Sequence, residues 1–252
     1  MSYTNKVVPI LKEAGRELAA GFGKAKVERQ KSGRAVDVVT KLDESTEKFI
    51  YQQLKKLYPE IGFWGEEFGG NKKQKKFWLL DPIDGTAHFV RGVPFCTTML
   101  ALVENGQVVF SAINDFLRDD FYSAEKGSGA KKNGRPIHVS KRALKDAYFS
   151  HEINLGIRKN LDLFAKLREK PMMFNTISCG FEFPLVATGK IEGRIMIDAF
   201  GGDHDYAAGS LLVKEAGGVV VNIGKNSYDY KNHSFLAVNR VVFKELRRLY
   251  KL

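Results

Sequence analysis

Apolar residues first recur at helical spacing over residues 3–28. Val7, Leu11, Leu18 and Phe22 mark one face of this stretch, although Pro9 and several glycines weaken the pattern. Residues 31–39 lack such spacing and predict a loop. The sequence therefore predicts an N-terminal helix followed by a loop.

A second helix is predicted from a capping sequence. Thr40-Lys-Leu-Asp43 has the form of a capping box, and apolar side chains then recur at helical spacing through Leu57. The helix is expected to stop near Tyr58-Pro59, because a residue before proline disfavours the helical conformation.

Short apolar runs separated by turn residues follow. Asn133-Gly134 favours the positive φ angles of a tight hairpin, so the middle third predicts antiparallel sheet. The predicted strands are residues 61–64, 77–80, 95–103, 107–114, 120–125 and 136–139.

From about residue 145 the pattern changes to alternating strands and helices. The sequence therefore predicts an α/β fold of two layered halves, residues 1–145 with the antiparallel sheet and residues 146–252, forming one compact unit. The predicted strands of the second half are 148–149, 172–174, 195–198, 219–221 and 236–238, and its helices are 160–169, 180–188 and 205–216.

Composition narrows the class of protein. The 252 residues are 44% hydrophobic and 27% charged, which is typical of a globular protein. No apolar run reaches the roughly 18 residues of a membrane span, and the N-terminus lacks the apolar stretch of a signal peptide. Cys96 and Cys179 lie among apolar residues and are interpreted as reduced core cysteines. A cytoplasmic location without a membrane partner is expected.

The formal net charge of +11 indicates an anionic partner. Lys72-Lys73-Gln74-Lys75-Lys76 is a basic run, but no nucleic-acid-binding motif accompanies it. A solvated loop is therefore the preferred interpretation of this run, and a basic surface also attracts phosphate esters.

Two carboxylates stand close together in Trp78-Leu-Leu-Asp81-Pro-Ile-Asp84-Gly85-Thr86. Pro82 is expected to end the preceding strand, which would place Asp81 and Asp84 in a turn. Gly85 and Thr86 offer backbone amides to an anion. Carboxylates for a metal and amides for an anion predict metal-assisted phosphate chemistry.

Further acids lie at predicted strand ends or helix starts, which gather at one edge of an α/β fold. Two carboxylates about 4 Å apart repel by roughly 4 kcal/mol at an effective dielectric near 20, so a cluster needs cations or protons. Oxygen ligands without histidine or cysteine favour Mg²⁺. The acids concerned are Asp43, Glu66, Asp81, Asp84 and Asp205.

Each acid has a structural alternative. Asp43 could be only the N3 acid of a capping box, Asp205 could only complement a helix dipole, and Glu66-Glu67 could be a solvated turn. The haloacid dehalogenase phosphatases are excluded, because their Asp-x-Asp-Gly-Thr motif has one residue fewer between the aspartates. The joint pattern, rather than any single acid, carries the prediction.

The ordered motifs resemble the inositol monophosphatase family of magnesium-dependent, lithium-sensitive phosphatases. The matching segments cover roughly residues 31–221, and the ordered set is highly specific. They are Asp37-Val-Val-Thr40-Lys-Leu-Asp43, Gly65-Glu66-Glu67, Asp81-Pro-Ile-Asp84-Gly-Thr86 with Phe89 and Pro94-Phe95, and Asp205-Tyr-Ala-Ala-Gly209 with Glu215-Ala-Gly-Gly218.

The resemblance implies an α/β/α/β/α five-layer sandwich, a homodimer and two or three Mg²⁺ ions. One ion would be held by Glu66, Asp81 and the Ile83 carbonyl. A second ion would be held by Asp81, Asp84 and Asp205. Asp43 and Thr86 would activate water, with Glu66 also assigned a catalytic part. The amides of Asp84, Gly85 and Thr86 would hold the phosphate.

The chain departs from the family pattern in its second half, at positions expected to determine which substrate binds. His204 replaces the usual Trp and is interpreted as a packing group, with metal ligation as the alternative. Met196 occupies the place of the acid that contacts a substrate hydroxyl, and Asp198 replaces that acid only if the following loop is two residues longer. Ser178 and Asp205 are further substrate-binding candidates.

The leading hypothesis is a Mg²⁺-dependent phosphomonoesterase acting on a small polyol phosphate, with inositol 1-phosphate as first candidate. Alternatives are fructose 1,6-bisphosphate, histidinol phosphate and 3′-phosphoadenosine 5′-phosphate. A basic, RNA-associated interaction protein is the alternative from another class.

Overall fold

A computed structural model describes residues 2–31 and 38–250. Most of the predicted loop at 31–39, including Asp37 of the first motif, lies outside these residues. The helices are α1 (Thr4–Gly21), α2 (Lys41–Leu57), α3 (Thr86–Arg91), α4 (Arg158–Leu167), α5 (Cys179–Ala187), α6 (Asp203–Glu215) and α7 (Arg240–Tyr250), with a 3-10 turn at Leu144–Asp146.

The strands form three sheets. The first pairs β1 (Val27–Gln30) with β2 (Val38–Thr40). The second has the order β10-β9-β8-β7-β6-β5-β3-β4, with β3 (Gly62–Gly65), β4 (Gly69–Gly70), β5 (Lys76–Asp84), β6 (Thr97–Glu104), β7 (Gln107–Asp115), β8 (Asp120–Glu125), β9 (Ala130–Lys132) and β10 (Arg135–Ile137). The third has the order β12-β11-β13-β15-β14, with β11 (Tyr148–Ile153), β12 (Met172–Asn175), β13 (Gly193–Ile197), β14 (Val219–Asn222) and β15 (Phe235–Val238).

Helices and sheets alternate in layers. Helices α1 and α2 pack on one face of the eight-stranded sheet, where Leu11 and Ile50 meet Trp78 in one buried cluster. Helices α5 and α6 lie between the two large sheets, and α4 and α7 cover the outer face of the five-stranded sheet. The central cluster joins Met99 of β6, Leu212 of α6 and Phe235 of β15. One core therefore spans both halves of the chain.

Pro82 does not end its strand, so the prediction of a turn there is wrong. β5 continues to Asp84, and its pairing with β6 shifts register between Asp81 and Asp84. A bulge tolerates proline because the extra residue leaves the ladder of hydrogen bonds. Thr98 Oγ1 donates to the Pro82 carbonyl at 2.9 Å and holds the bulge. Both aspartates are therefore fixed by a sheet.

Other expectations differ in detail. Pro9 does not interrupt α1, whose buried face, including Val7 and Leu11, holds it against the sheet. Asn133-Gly134 joins β9 to β10, and β9 was not predicted; nor were β1 and α7. The antiparallel middle sheet and the alternating second half are confirmed. In the described residues no helix is both long and apolar enough to cross a membrane.

Candidate active site and metal centre

Asp43 is the N3 acid of the capping box and also contacts Thr86. Its Oδ2 accepts hydrogen bonds from Thr40 N at 2.8 Å and Thr40 Oγ1 at 2.6 Å, so the capping box at the start of α2 is confirmed. Its Oδ1 faces Thr86 Oγ1 at 2.9 Å. Burial raises the pKa of Asp43 to about 6, although bonds from Thr40 and Thr86 oppose the rise. The cap and the pair with Thr86 use different oxygens.

Glu66 lies just beyond β3, between two cationic groups. Its Oε1 is 2.6 Å from Lys31 Nζ and 3.7 Å from His204 Nε2. Burial raises the pKa of Glu66, but His204 and Lys31 outweigh it and lower the pKa to about 2. Glu67 is paired with Lys31 and Arg29 at 2.7 and 2.9 Å. The Glu66-Glu67 turn is therefore tied down by charge rather than freely solvated.

Glu47 supports this turn and was missed by the sequence interpretation. Its carboxylate accepts from Glu67 N at 2.8 Å and Phe68 N at 2.9 Å. A Cβ at Gly65 would lie 2.1 Å from the Glu47 Cδ, so the close approach requires glycine. Burial raises the pKa of Glu47 to about 7. Its position one turn after Asp43 was the available signal, because residues four apart share a helix face.

Asp81 and Asp84 occupy the bulge of β5 and are buried. Within the described part of the chain, Asp81 Oδ1 has no hydrogen-bond partner. Burial, followed by the charges of Glu66 and Asp84, raises the pKa of Asp81 well above its usual value. Asp84 Oδ2 accepts from Ser178 Oγ and, at 2.7 Å, from Gly180 N. Burial and the charge of Asp205 raise the pKa of Asp84 to about 7.

Asp205 enters the site from the first turn of α6. It accepts from Gly202 N, so it is also the N3 acid of a capping arrangement. Burial raises its pKa, while His204 opposes the rise. His204 Nε2 lies 3.6 Å from Asp205 Oδ2, and its ring packs on Trp64 with centroids 5.2 Å apart. His204 thus packs as expected and also faces two of the carboxylates.

Gly85 makes the turn from β5 into α3. Its φ of +86° lies in the left-handed region, and an added Cβ would be 2.5 Å from the Phe95 carbonyl oxygen. Only glycine fits both constraints without strain. The turn places Thr86 beside Asp43.

Apart from Asp205, of the residues expected to contact the substrate beyond its phosphate, one lies in the site and the others do not. Ser178 lies in the site and donates to Asp84. Asp198 does not join it: the Asp198 carboxylate accepts from Asn160 Nδ2 at 2.9 Å and Ser234 Oγ at 3.3 Å and does not line the cavity. Met196 is buried in the central core.

Glu152, at the end of β11, was missed by the sequence interpretation and lines the cavity. Its Oε1 accepts from the amides of Phe200 and Gly201 at 3.0 and 3.3 Å and from Tyr206 Oη at 2.9 Å. Its Oε2 pairs with the fully buried Arg194 at 3.1 Å. Glu152 therefore anchors the loop before α6. No local motif marks it, because its partners lie far away in sequence.

These side chains converge on one cavity of about 290 Å³. Its lining comes from both halves of the chain and includes Glu66, Asp81, Ile83, Asp84, Gly85, Thr86, Glu152, Ser178, Cys179 and Asp205.

The donor set fits a divalent metal centre. The pKa values of Asp81, Asp84 and Asp205 are all raised, because burial and the neighbouring carboxylates both disfavour their charged forms. Asp81 Oδ1 is buried and unpartnered, and a bound cation would satisfy it. Ligand atoms of Asp84, Cys179 and Asp205 lie within 4.8 Å of one another.

The chain matches the model of the inositol monophosphatase family over residues 2–250. It is 30% identical to an inositol-1-monophosphatase of Mesorhizobium japonicum, over 98% of this chain and 95% of the relative. It is 32% identical to the Nus factor SuhB of Xylella fastidiosa, over 86% of this chain and 80% of that relative. Its structure matches that of the extragenic suppressor protein suhB from Bartonella henselae, with a TM-score of 0.86 and 29% identity over 97% of this chain and 96% of that one.

The similarities cover nearly the whole chain and confirm both the expected layered fold and the resemblance seen in its motifs. The carboxylate cavity agrees with a metal-dependent phosphatase. The chain therefore belongs to the inositol monophosphatase family of metal-dependent phosphatases.

Proposed function

We propose that this protein is a Mg²⁺-dependent phosphomonoesterase that hydrolyses a small polyol phosphate, with inositol 1-phosphate as the first candidate. The observation that carries the proposal is the lining of one cavity by Glu66, Asp81, Asp84 and Asp205. Their repulsion is relieved when cations bind among them. A homodimer is expected from the family resemblance.

Two groups of ligands are proposed for the metal. Glu66, Asp81 and the Ile83 carbonyl would hold one ion, and Asp81, Asp84 and Asp205 would hold another. Bound divalent ions supply Lewis-acid polarisation of the phosphate and favour ionised water. Carboxylate and carbonyl oxygens suit Mg²⁺, which prefers hard ligands.

Asp43 and Thr86 are proposed to orient and deprotonate the attacking water. Thr86 Oγ1 lies 2.9 Å from both Asp43 Oδ1 and the Ile83 carbonyl oxygen, so its single proton can point to either acceptor. The raised pKa of Asp43, about 6, makes its carboxylate a better base than an exposed aspartate. The amides of Asp84, Gly85 and Thr86 are proposed to bind the phosphate.

Substrate choice is proposed to differ from that of relatives with an acid at position 196. Met196 is buried, and the Oε1 of Glu152 already accepts three hydrogen bonds. Ser178, beside Asp84, remains a substrate-side candidate. We therefore propose that a sugar hydroxyl is bound by backbone and hydroxyl groups rather than by a free carboxylate.

A substrate panel tests the function. The purified protein with Mg²⁺ is assayed for phosphate release from inositol 1-phosphate, fructose 1,6-bisphosphate, histidinol phosphate and 3′-phosphoadenosine 5′-phosphate. The highest kcat/KM is expected for inositol 1-phosphate. A preference for another ester would correct the substrate, and absence of Mg²⁺-dependent release from all four would contradict the phosphatase assignment.

A second candidate function is association with RNA. Among the described residues, eight acidic side chains but only Arg194 among the Lys and Arg side chains are buried, so the surface is more basic than the net charge of +11 indicates. Salt-dependent RNA binding that survives Asp84→Asn would support this candidate, and no binding near physiological salt (about 0.15 M) would dismiss it.

Metal-free protein is expected to lose stability as the pH rises from about 5 to about 8. The pKa of Asp84 is raised to about 7, so its protonated form is favoured in the folded protein, and this contribution declines steadily as the pH rises towards 7 and is gone above it. The free energy of unfolding should fall by about 2 kcal/mol. Mg²⁺ replaces protons as counter-charge, so its stabilising effect should be larger at pH 8.

Thermal denaturation at both pH values, in chelator and in Mg²⁺, measures these effects. Equal stability of the chelated protein at pH 5 and pH 8 would contradict the prediction. So would an equal Mg²⁺-induced rise in Tm at both pH values.

A further inference from the structure

A sulfur atom lies among the oxygen donors of the metal centre. Cys179, the first residue of α5, is one of three residues whose ligand atoms are all within 4.8 Å of each other; the others are Asp84 and Asp205. An ion with bonds of about 2.0 to 2.3 Å could bind all three after a small inward movement of the side chains. Cys179 also lines the cavity.

A second observation points to a ligand at this place. Asp81 lines the same cavity, is 1% exposed, and has a carboxylate oxygen that finds no hydrogen-bond partner among the residues the structure describes. An unpartnered buried oxygen beside Asp84 and Asp205 indicates that a cation belongs there. The candidate site therefore rests on two observations, the position of the Cys179 sulfur and the unpartnered oxygen of Asp81.

Burial raises the pKa of the Cys179 thiol well above its usual value, but the charge of Arg194 opposes this rise and favours a thiolate bound to a metal. Arg194 donates an N–H to Cys179 Sγ at 3.2 Å. The charge of Arg194 is matched by Glu182 at 2.9 Å and Glu152 at 3.1 Å. The guanidinium can thus orient the sulfur and stabilise its negative charge without leaving an unpaired cation, which is how an outer group supports a metal ligand.

The alternative is that Cys179 only packs, since it also belongs to the central apolar cluster. The two interpretations differ in metal preference. Mg²⁺ binds oxygen and has little affinity for sulfur, whereas Zn²⁺, Cd²⁺ and Co²⁺ accept thiolate readily. A sulfur ligand would therefore raise affinity for the second group of ions without raising affinity for Mg²⁺.

We propose that Asp84, Cys179 and Asp205 form a binding site for zinc-class divalent cations, with Cys179 Sγ as a direct ligand. When the metal–sulfur bond forms, the S–H bond breaks and the thiol proton passes to solvent. The site shares Asp84 and Asp205 with the proposed Mg²⁺ centre, so zinc-class ions compete with Mg²⁺. This competition rests on the proposed function, whereas the binding itself does not.

Cadmium titration of the metal-free full-length protein tests the sulfur ligand directly. A Cd²⁺–thiolate bond gives an ultraviolet charge-transfer band that oxygen ligands do not give. The band is expected in the wild-type protein and in Cys96→Ala, because Cys96 packs in a different apolar cluster. It should be lost in both Cys179→Ser and Cys179→Ala, and two variants guard against misfolding of one.

Calorimetry supplies the affinity. Zn²⁺ binding should weaken at least about tenfold in Cys179→Ser, while Mg²⁺ binding changes less than about threefold. Absence of the Cd²⁺ band in wild type, or equal Zn²⁺ affinity in wild type and both folded Cys179 variants, would overturn the proposal. If Mg²⁺-dependent hydrolysis persisted in that case, the proposed function would stand. If the band formed but no ester were hydrolysed, the site would stand and the proposed function would fail.

Discussion

Asp84→Asn is expected to lower kcat/KM for phosphate-ester hydrolysis at least about a hundredfold, equivalent to about 2.7 kcal/mol of transition-state stabilisation. The substitution removes one negative charge from the second of the two proposed ligand groups. Asparagine keeps a carbonyl oxygen for the bonds from Ser178 and Gly180, so the fold should remain. Steady-state assays with Mg²⁺ measure the loss, and Asp81→Asn should act in the same direction.

Asp115→Asn is the matched control. Asp115 is also a buried aspartate, but it pairs with Arg118 at 2.9 Å and does not line the cavity. Its activity should stay within about threefold of wild type. Near-normal turnover by Asp84→Asn, or an equal loss in both variants, would contradict the assignment of Asp84 to the metal centre.

Arg194→Met is expected to lower the free energy of unfolding by about 3 to 5 kcal/mol. Arg194 is fully buried in β13 and pairs with Glu182 and Glu152. Methionine fills similar space but leaves both carboxylates without their cation in a region that water does not reach. Because Glu152 holds the loop before α6, activity should fall as well. Urea denaturation measures the stability change.

Arg142→Met gives the comparison for a half-exposed arginine. Arg142 Nε donates to Glu192 at 2.6 Å, but Ser140 Oγ and Tyr148 N also donate to that carboxylate. A loss of about 1 kcal/mol is expected. Adding Glu182→Gln to Arg194→Met should restore part of the lost stability. If the two arginine variants lost the same free energy of unfolding, burial of the arginine would not determine how much stability its removal costs.

The local features of the site could be predicted from sequence. The Thr40–Asp43 capping box and the separate strands and helices depend on residues close together in the chain, so spacing alone identifies them. The Asp81–Thr86 run was chosen for its chemistry, and the structure places its two aspartates in the lining of the cavity. Its conformation was wrong, because the expectation for Pro82 took no account of a bulge that frees it from the ladder.

The supporting groups could not be found in this way. Glu47 is defined by two amides of a distant turn, and Glu152 by amides and a hydroxyl about fifty residues later. Arg194 in a strand has no local sign of the two carboxylates that pair with it. Such partners are brought together only by packing, and a single sequence does not show which side chains meet.

The sequence by itself determined which acids are candidate metal ligands, their order along the chain and the helix start at which Asp43 lies. Only the tertiary structure decided that acids from β5, from the turn after β3 and from α6 line one cavity. It also decided that Asp198 lies outside this cavity and that Cys179 lies beside Asp84 and Asp205. The physical reason is range: caps and periodicity act within a few residues, whereas charge repulsion and metal affinity depend on distances that only the packed layers set.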